Sequence, residues 1–277
     1  MAQMKMFLFG PPRVESDAQA GEIGLRKAIA LLAYLARSQQ PHSREALATL
    51  FWPDSDQSTA LANLRRALYR VNNNLPNGLL QATRKAIQLE RDQGLWLDVN
   101  LFQDHVTACL AAPAAGQAPG SGCIARLTQA ADLYTGEFMA GFTLPDSPAF
   151  DEWQFFQAEG LRRSLAQVLE RLTDFHHEQG RLQRAIRYAR RRVSVDPLEE
   201  SPQRRLMELY ALTDQPAAAL RQYELCRDLL DKELGMSPEE ETTALYQAIK
   251  NRRFPNAGGR PASAPRPHDA CDAPAPF

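Results

Sequence analysis

The chain has 277 residues, 44% hydrophobic and 23% charged, with a formal net charge of −1. Those values describe a soluble globular protein long enough for two domains, each with its own core. They exclude a strong non-specific polyanion binder, which would be far more basic, and no apolar run approaches the roughly 18 residues of a membrane span.

Other broad features narrow the class further. Cys109, Cys123, Cys226 and Cys271 are scattered, with no CxxC and no Cys/His cluster. That pattern favours a reducing cytoplasm and speaks against a zinc site or a disulfide frame. The opening MAQMKMFLFGPP is too short for a secretory apolar region, and residues 6–9 read as a strand. Charge is unevenly spread. Residues 1–105 carry 12 basic and 10 acidic side chains, residues 123–253 carry 18 and 21.

In chain order, residues 5–9 form a strand ended by Gly10-Pro11-Pro12, with short strands expected at Arg13-Val14 and at residues 22–25. Residues 26–37, RKAIALLAYLAR, are apolar on almost every side, which predicts a helix at the centre of a domain. Pro41 stops it. Ser43 with Glu45-Ala46 opens a second helix over residues 44–51, with Leu47, Leu50 and Phe51 inward. Trp52-Pro53 breaks that helix, and Trp52 reads as a core plug rather than a stacking platform for bases.

Asp54 and Ser55 can cap the next helix, residues 57–74. Leu61, Leu64, Leu68, Val71 and Leu75 recur at steps of three and four and define its inward stripe. Thr59, Asn63, Arg66, Arg70 and Asn73 fall on the opposite face, with Arg65 at the flank. From residue 57 to 89 there are five Arg or Lys and no Asp or Glu. Such a face offers donors for base edges and for phosphates, so the stretch reads as a DNA-recognition helix. Thr59 and Asn63 are expected at bases, Arg66 at bases or phosphates, and Arg70 at phosphate. The plain alternative is a solvated helix face.

Asn72-Asn73-Asn74 and Pro76-Asn77-Gly78 end the helix. Leu80, Ala82, Ile87 and Leu89 then alternate about a Thr83-Arg84-Lys85 tip, a β-hairpin pattern. Arg84 and Lys85 are wing contacts on one reading and ordinary turn residues on the other. Arg44 is a further phosphate candidate. Residues 95–99 add a strand or a helix entry. Three helices and a basic-tipped hairpin are the order of a winged helix, whose third helix enters the major groove.

Residues 111–122, AAPAAGQAPGSG, lack periodicity and read as linker. Amphipathic helices follow at 126–139 and 149–179. A self-match at a spacing of 34 pairs Leu172 with Leu206, Phe175 with Leu209, Ala185 with Ala219, Ile186 with Leu220 and Ala189 with Tyr223, with Gly180 against Asp214 at the turn. Thirty-four is the tetratricopeptide period. Asp196-Pro197 separates the two repeats, Gly235-Met236-Ser237-Pro238 ends the second, and a last helix covers residues 239–253. The Pro/Ala-rich residues 254–277 are expected to be disordered.

The fold class is therefore mainly α. A winged helix with three helices, small antiparallel sheets and a wing hairpin (1–105) is followed by a linker (106–122) and an all-α tetratricopeptide-like domain (123–253). The run Arg181, Arg184, Arg187, Arg190, Arg191 and Arg192 reads as a charged outer helix pairing with Glu178, Glu199 and Glu200. A second DNA-contacting surface is the alternative. His176-His177 has no third ligand nearby, and no catalytic constellation stands out. No enzyme activity, cofactor or metal is expected.

These residues resemble a known family, the SARP-type bacterial transcriptional activators. The resemblance runs over residues 5–253 through LFGPPRV, RKAIALLAYLA, SREALATLFWPDSD, ALANLRRALYRV, WLDVNLF, LYTGEF and LMELYA…AALRQYELCRDLLDKELGMSPEEETTALYQAI. FWPD followed by NLRRAL, and the ELGxxP…LY…I ending, are its more specific parts. The resemblance implies an OmpR-type winged helix joined to a bacterial transcriptional activator domain, and a cytoplasmic activator that binds double-stranded promoter DNA and recruits RNA polymerase. Self-association through the repeat domain fits the same picture. Where larger relatives carry an ATPase module, this chain has no GxxxxGK[ST], and its recognition helix ends in NNN where relatives are more basic. Two alternatives stand beside this one: an adaptor that binds protein and no nucleic acid, and the front end of a larger ATP-regulated switch.

Overall fold

Strand β1 (Met4–Phe7) alternates buried Met4 and Met6 with more exposed Lys5 and Phe7, so one face of a small sheet enters the core. In the computed structural model, which describes residues 4–16, 26–38, 40–75, 78–90, 94–110 and 121–253, it pairs antiparallel with β2 (Arg13–Ser16). Helices α1 (Arg26–Arg37), α2 (Arg44–Phe51) and α3 (Gln57–Asn74) follow, with the two-residue strand β3 (His42–Ser43) before α2. The wing strands are β4 (Leu80–Ala82) and β5 (Ala86–Leu89), which with β3 give the sheet order β3-β5-β4.

Strand β6 (Leu95–Leu97) returns beside β1, and this pairing is parallel, because the whole three-helix body lies between them in sequence. The first sheet is thus mixed, where an antiparallel one was expected. The strand expected at residues 22–25, the linker residues 111–120 and the tail 254–277 lie outside the described residues.

The remaining helices are α4 (Asp98–Leu110), α5 (Ser121–Leu133), α6 (Pro148–Glu178), α7 (Leu182–Val195), α8 (Glu200–Leu212), α9 (Pro216–Leu234) and α10 (Glu240–Lys250). The chain forms two compact units, Met1–Leu172 and Thr173–Phe277. The division therefore falls well after the linker expected at 106–122, and residues 106–110 are helix.

Backbone and ring contacts explain why the first unit reaches so far. The Met139 N–H donates to the Leu8 carbonyl at 2.7 Å, Gly10 N–H to Glu137 at 2.9 Å, and Phe9 bridges Phe138. Gly136 is needed at this crossing, since a Cβ there would sit 3.1 Å from the Gly10 Cα. Asp98, buried at the start of α4, accepts the N–H groups of Leu8, Phe9 and Val99 at 2.7–3.0 Å. Desolvation pushes its carboxyl up, against the pull of those three donors.

An aromatic cluster joins α1 and α2 to the first half of α6. Phe51 meets Phe150 at 5.5 Å and Tyr34 meets Trp153 at 4.9 Å. Around it Ser147 Oγ donates to the Leu50 carbonyl, Lys27 Nζ reaches Phe51 O and Asp146, and Arg37 reaches Gln157. The winged helix is thus closed from behind by residues the sequence pattern assigned to the next domain.

Cys109 and Cys123, one on α4 and one on α5, are disulfide-bonded with Cα atoms 5.4 Å apart. This corrects the expectation of no disulfide. Fourteen residues separate the two in sequence, and only the side-by-side packing of α4 and α5 brings them together.

In the second unit α7 packs on α8, α8 on α9 and α9 on α10, around Ala185, Ala189, Leu206, Leu209, Ala219 and Tyr223. The 34-residue repeat holds to the level of single hydrogen bonds. Gly180 N–H donates to His177 O and Arg181 N–H to His176 O; 34 residues later Asp214 donates to Ala211 and Gln215 to Tyr210. Gly180 (φ +66°) and Asp214 (φ +55°) both take the left-handed conformation that this helix ending requires.

Candidate nucleic-acid interface

Helix α3 starts at Asp56, whose carboxylate accepts the Thr59 N–H at 3.0 Å and the Ser58 hydroxyl at 2.7 Å. These bonds hold its carboxyl well below the ordinary range. The cap lies one residue beyond Ser55 and two beyond Asp54, the caps expected, and the Ser55 N–H turns back to the Trp52 carbonyl. Trp52 is half-buried beside Phe51, with Lys27 Nζ 5.1 Å from its ring centre.

The buried residues of α3 are Ala60, Leu64, Ala67, Leu68 and Val71, and the helix packs on α1 and α2. Leu61, expected inward, is only half-buried. The two alanines shift the inward direction, so the outward face is rotated by about 35–40° from the leucine-based expectation. Thr59, Arg66, Arg70 and Asn73 remain exposed, Asn63 becomes half-buried, and Arg65 and Tyr69 move onto the outward face. Tyr69, 68% exposed, is the most exposed large apolar side chain among the described residues. Asn74 folds back, donating to the Arg70 carbonyl at 2.8 Å.

The cations of this face are uncompensated. Among the described residues, Arg65, Arg66 and Arg70 have no carboxylate within ion-pair distance, and neither do Arg84 and Lys85 at the wing tip. The tip itself is held by Thr83, whose Oγ1 accepts the N–H groups of Lys85 and Ala86. Arg44 Nε donates to the Thr83 carbonyl at 2.9 Å, so this side chain ties the start of α2 to the wing. β3 and β5 make the same connection through the His42–Ile87 pairing. The start of α2 and the wing are therefore tied to one another, and α3 packs on α2.

Arg65 and Tyr69 are the candidates that periodicity missed. The available signal was Ala60 and Ala67, seven residues apart on one line of the helix, a far weaker mark of a buried seam than a leucine. Among the described residues no group of three His, Cys, Asp or Glu could hold a metal ion, and no helix is long and apolar enough to cross a membrane.

Comparison with known proteins agrees with this architecture. Residues 97–250 match the family described as the bacterial transcriptional activator domain. The chain is 29% identical over 273 residues to Regulatory protein AfsR of Streptomyces griseus, and 28% identical over 253 residues to the Streptomyces coelicolor protein of that name. It spans only about a quarter of their length, 26% and 24%. The solved structure of Mycobacterium tuberculosis EmbR, in complex with a low affinity phosphopeptide, superposes with a TM-score of 0.68 at 22% identity, over 92% of this chain and 66% of that one. With the family match covering more than half of its residues, the chain belongs to the bacterial transcriptional activator domain family, in the SARP-type arrangement of a winged helix followed by a helical repeat domain.

Proposed function

We propose that this protein is a sequence-specific DNA-binding transcription regulator, working as an activator at promoters. The observation that carries the reading is the outward face of α3, where exposed cations stand without acidic partners beside a wing tip of the same character. Thr59 and Tyr69 meet base edges, Arg65 and Arg66 meet bases or phosphates, and Arg70, Asn73, Arg84 and Lys85 hold the backbone. Asn63, half-buried, reaches bases only from the edge of the face. Arg44 acts mainly by orienting the wing. Recruitment of RNA polymerase and self-association through the helical repeats are proposed from the family alone, in line with the regulatory proteins it resembles.

The test is binding of genomic fragments recovered with the protein, measured by fluorescence anisotropy. Arg66→Ala should cost about 1–3 kcal/mol and relax sequence preference. Tyr69→Ala should weaken binding to the preferred fragment more than to unrelated DNA. Unchanged affinity and preference in both variants would reject the interface, and leave a protein-binding adaptor as the reading.

A further inference from the structure

Helix α7 holds five arginines and no Asp or Glu, and Arg181 stands at its N-cap. Two of the arginines are used inside the unit. Arg192 is buried and pairs with Glu199, while Arg190 Nε donates to Tyr210 Oη at 2.6 Å. Of the three carboxylates expected to neutralise the rest, Glu199 is engaged by Arg192 and Glu200 by the Glu239 N–H at 3.0 Å, and Glu178 makes no ion pair with Arg181, Arg184 or Arg187. Arg181, Arg184 and Arg187 are exposed, and among the described residues none of them has an ion pair or a side-chain hydrogen bond.

These three guanidinium groups step by three residues along about 9 Å of helix axis. Their charge is felt beneath them. His176, buried and stacked on Tyr188, is held below the ordinary histidine range first by burial and then by Arg184 and Arg181. The stripe has no exposed large apolar side chain beside it on α7; among the described residues of the second unit those are Leu225, Leu234 and Met236, on α9 and just after it. A protein interface is built on an apolar centre. A row of guanidinium groups without one suits the phosphodiester backbone, which binds arginine through charge-assisted, often bidentate bonds and carries no sequence information.

We infer that Arg181, Arg184 and Arg187 form a second, sequence-independent DNA contact on the repeat unit, gripping phosphates of the duplex. The inference rests on the DNA-binding reading of the winged helix. It assigns to the repeat unit a share of the affinity and to α3 the choice of sequence.

The experiment uses the full chain and a mixed-sequence duplex of about 40 base pairs, with affinity followed as salt is raised. Each phosphate contact contributes about 0.9 to the log–log slope. R181A/R184A/R187A should lower the slope by about 2–3, and the lysine triple R181K/R184K/R187K should restore most of it. R184Q/R187Q, a milder change, should lower it by about 2. R66A/R70A supplies the control on the other unit. A slope that falls for R66A/R70A but not for the α7 variants overturns this inference and leaves the winged-helix reading standing. A wild-type chain that binds no duplex at all overturns both. An α7 variant that keeps its duplex slope yet loses capture of another protein also overturns it, and makes the stripe a protein surface.

Discussion

Tyr69 and Arg65 illustrate how little separates a solvated residue from a proposed recognition residue. A tyrosine ring left 68% exposed is ordinary on a solvated helix face, and on the proposed reading DNA covers it. A base edge or a thymine methyl would do so. His176 shows the opposite case, an ionisable group kept from charging. Its Nδ1 is buried with no hydrogen-bond partner in the structure. Its lowered pKa means that the unfolded chain takes up the proton first as pH falls. The second unit should therefore hold its full stability above the ordinary histidine range and lose some as pH drops from there through the lowered value. His176→Phe, which keeps a ring against Tyr188, should flatten that part of the profile. Urea midpoints at about pH 7.5 and about pH 5.5 measure it, and the same drop in both proteins would show that His176 is not responsible.

Among elements, α3 is the one on which the proposed function rests, and its seam is made by Ala60 and Ala67 as much as by leucines. Ala67 is fully buried, so Ala67→Leu should overpack the junction with α1 and α2 and cost about 1–3 kcal/mol. A urea denaturation curve that does not move would mean the seam is looser than described. The helix itself was legible in the sequence because five large apolar residues kept a strict period. Its rotation was not, because alanine does not announce burial. The wing was legible from a short alternation around Thr83-Arg84-Lys85, and the repeat unit from a spacing that recurs in its turn hydrogen bonds. The parallel β1–β6 pairing and the Cys109–Cys123 bond depend on which distant segments meet, and local pattern does not carry that.

At the scale of the molecule, a small-residue segment at 111–120 suggests a domain boundary, yet the first compact unit runs on to Leu172. Gly136, Ser147 and Trp153 are the reasons, each packing against or bonding to the back of the winged helix from beyond that segment. The consequence is that α3, the proposed recognition helix, sits in a larger compact unit than three helices and a wing provide. The measurement that tests this account most directly is photo-crosslinking from position 69, with benzoyl-phenylalanine in place of Tyr69, to a labelled genomic fragment the protein retains. The same group at Leu225 in the repeat unit serves as the reference site. The account predicts crosslinks from position 69 to bases of the duplex, few or none from position 225, and loss of the position 69 product when Arg66 is also changed to alanine. Crosslinks from position 69 to polypeptide alone, with none to DNA, would contradict it.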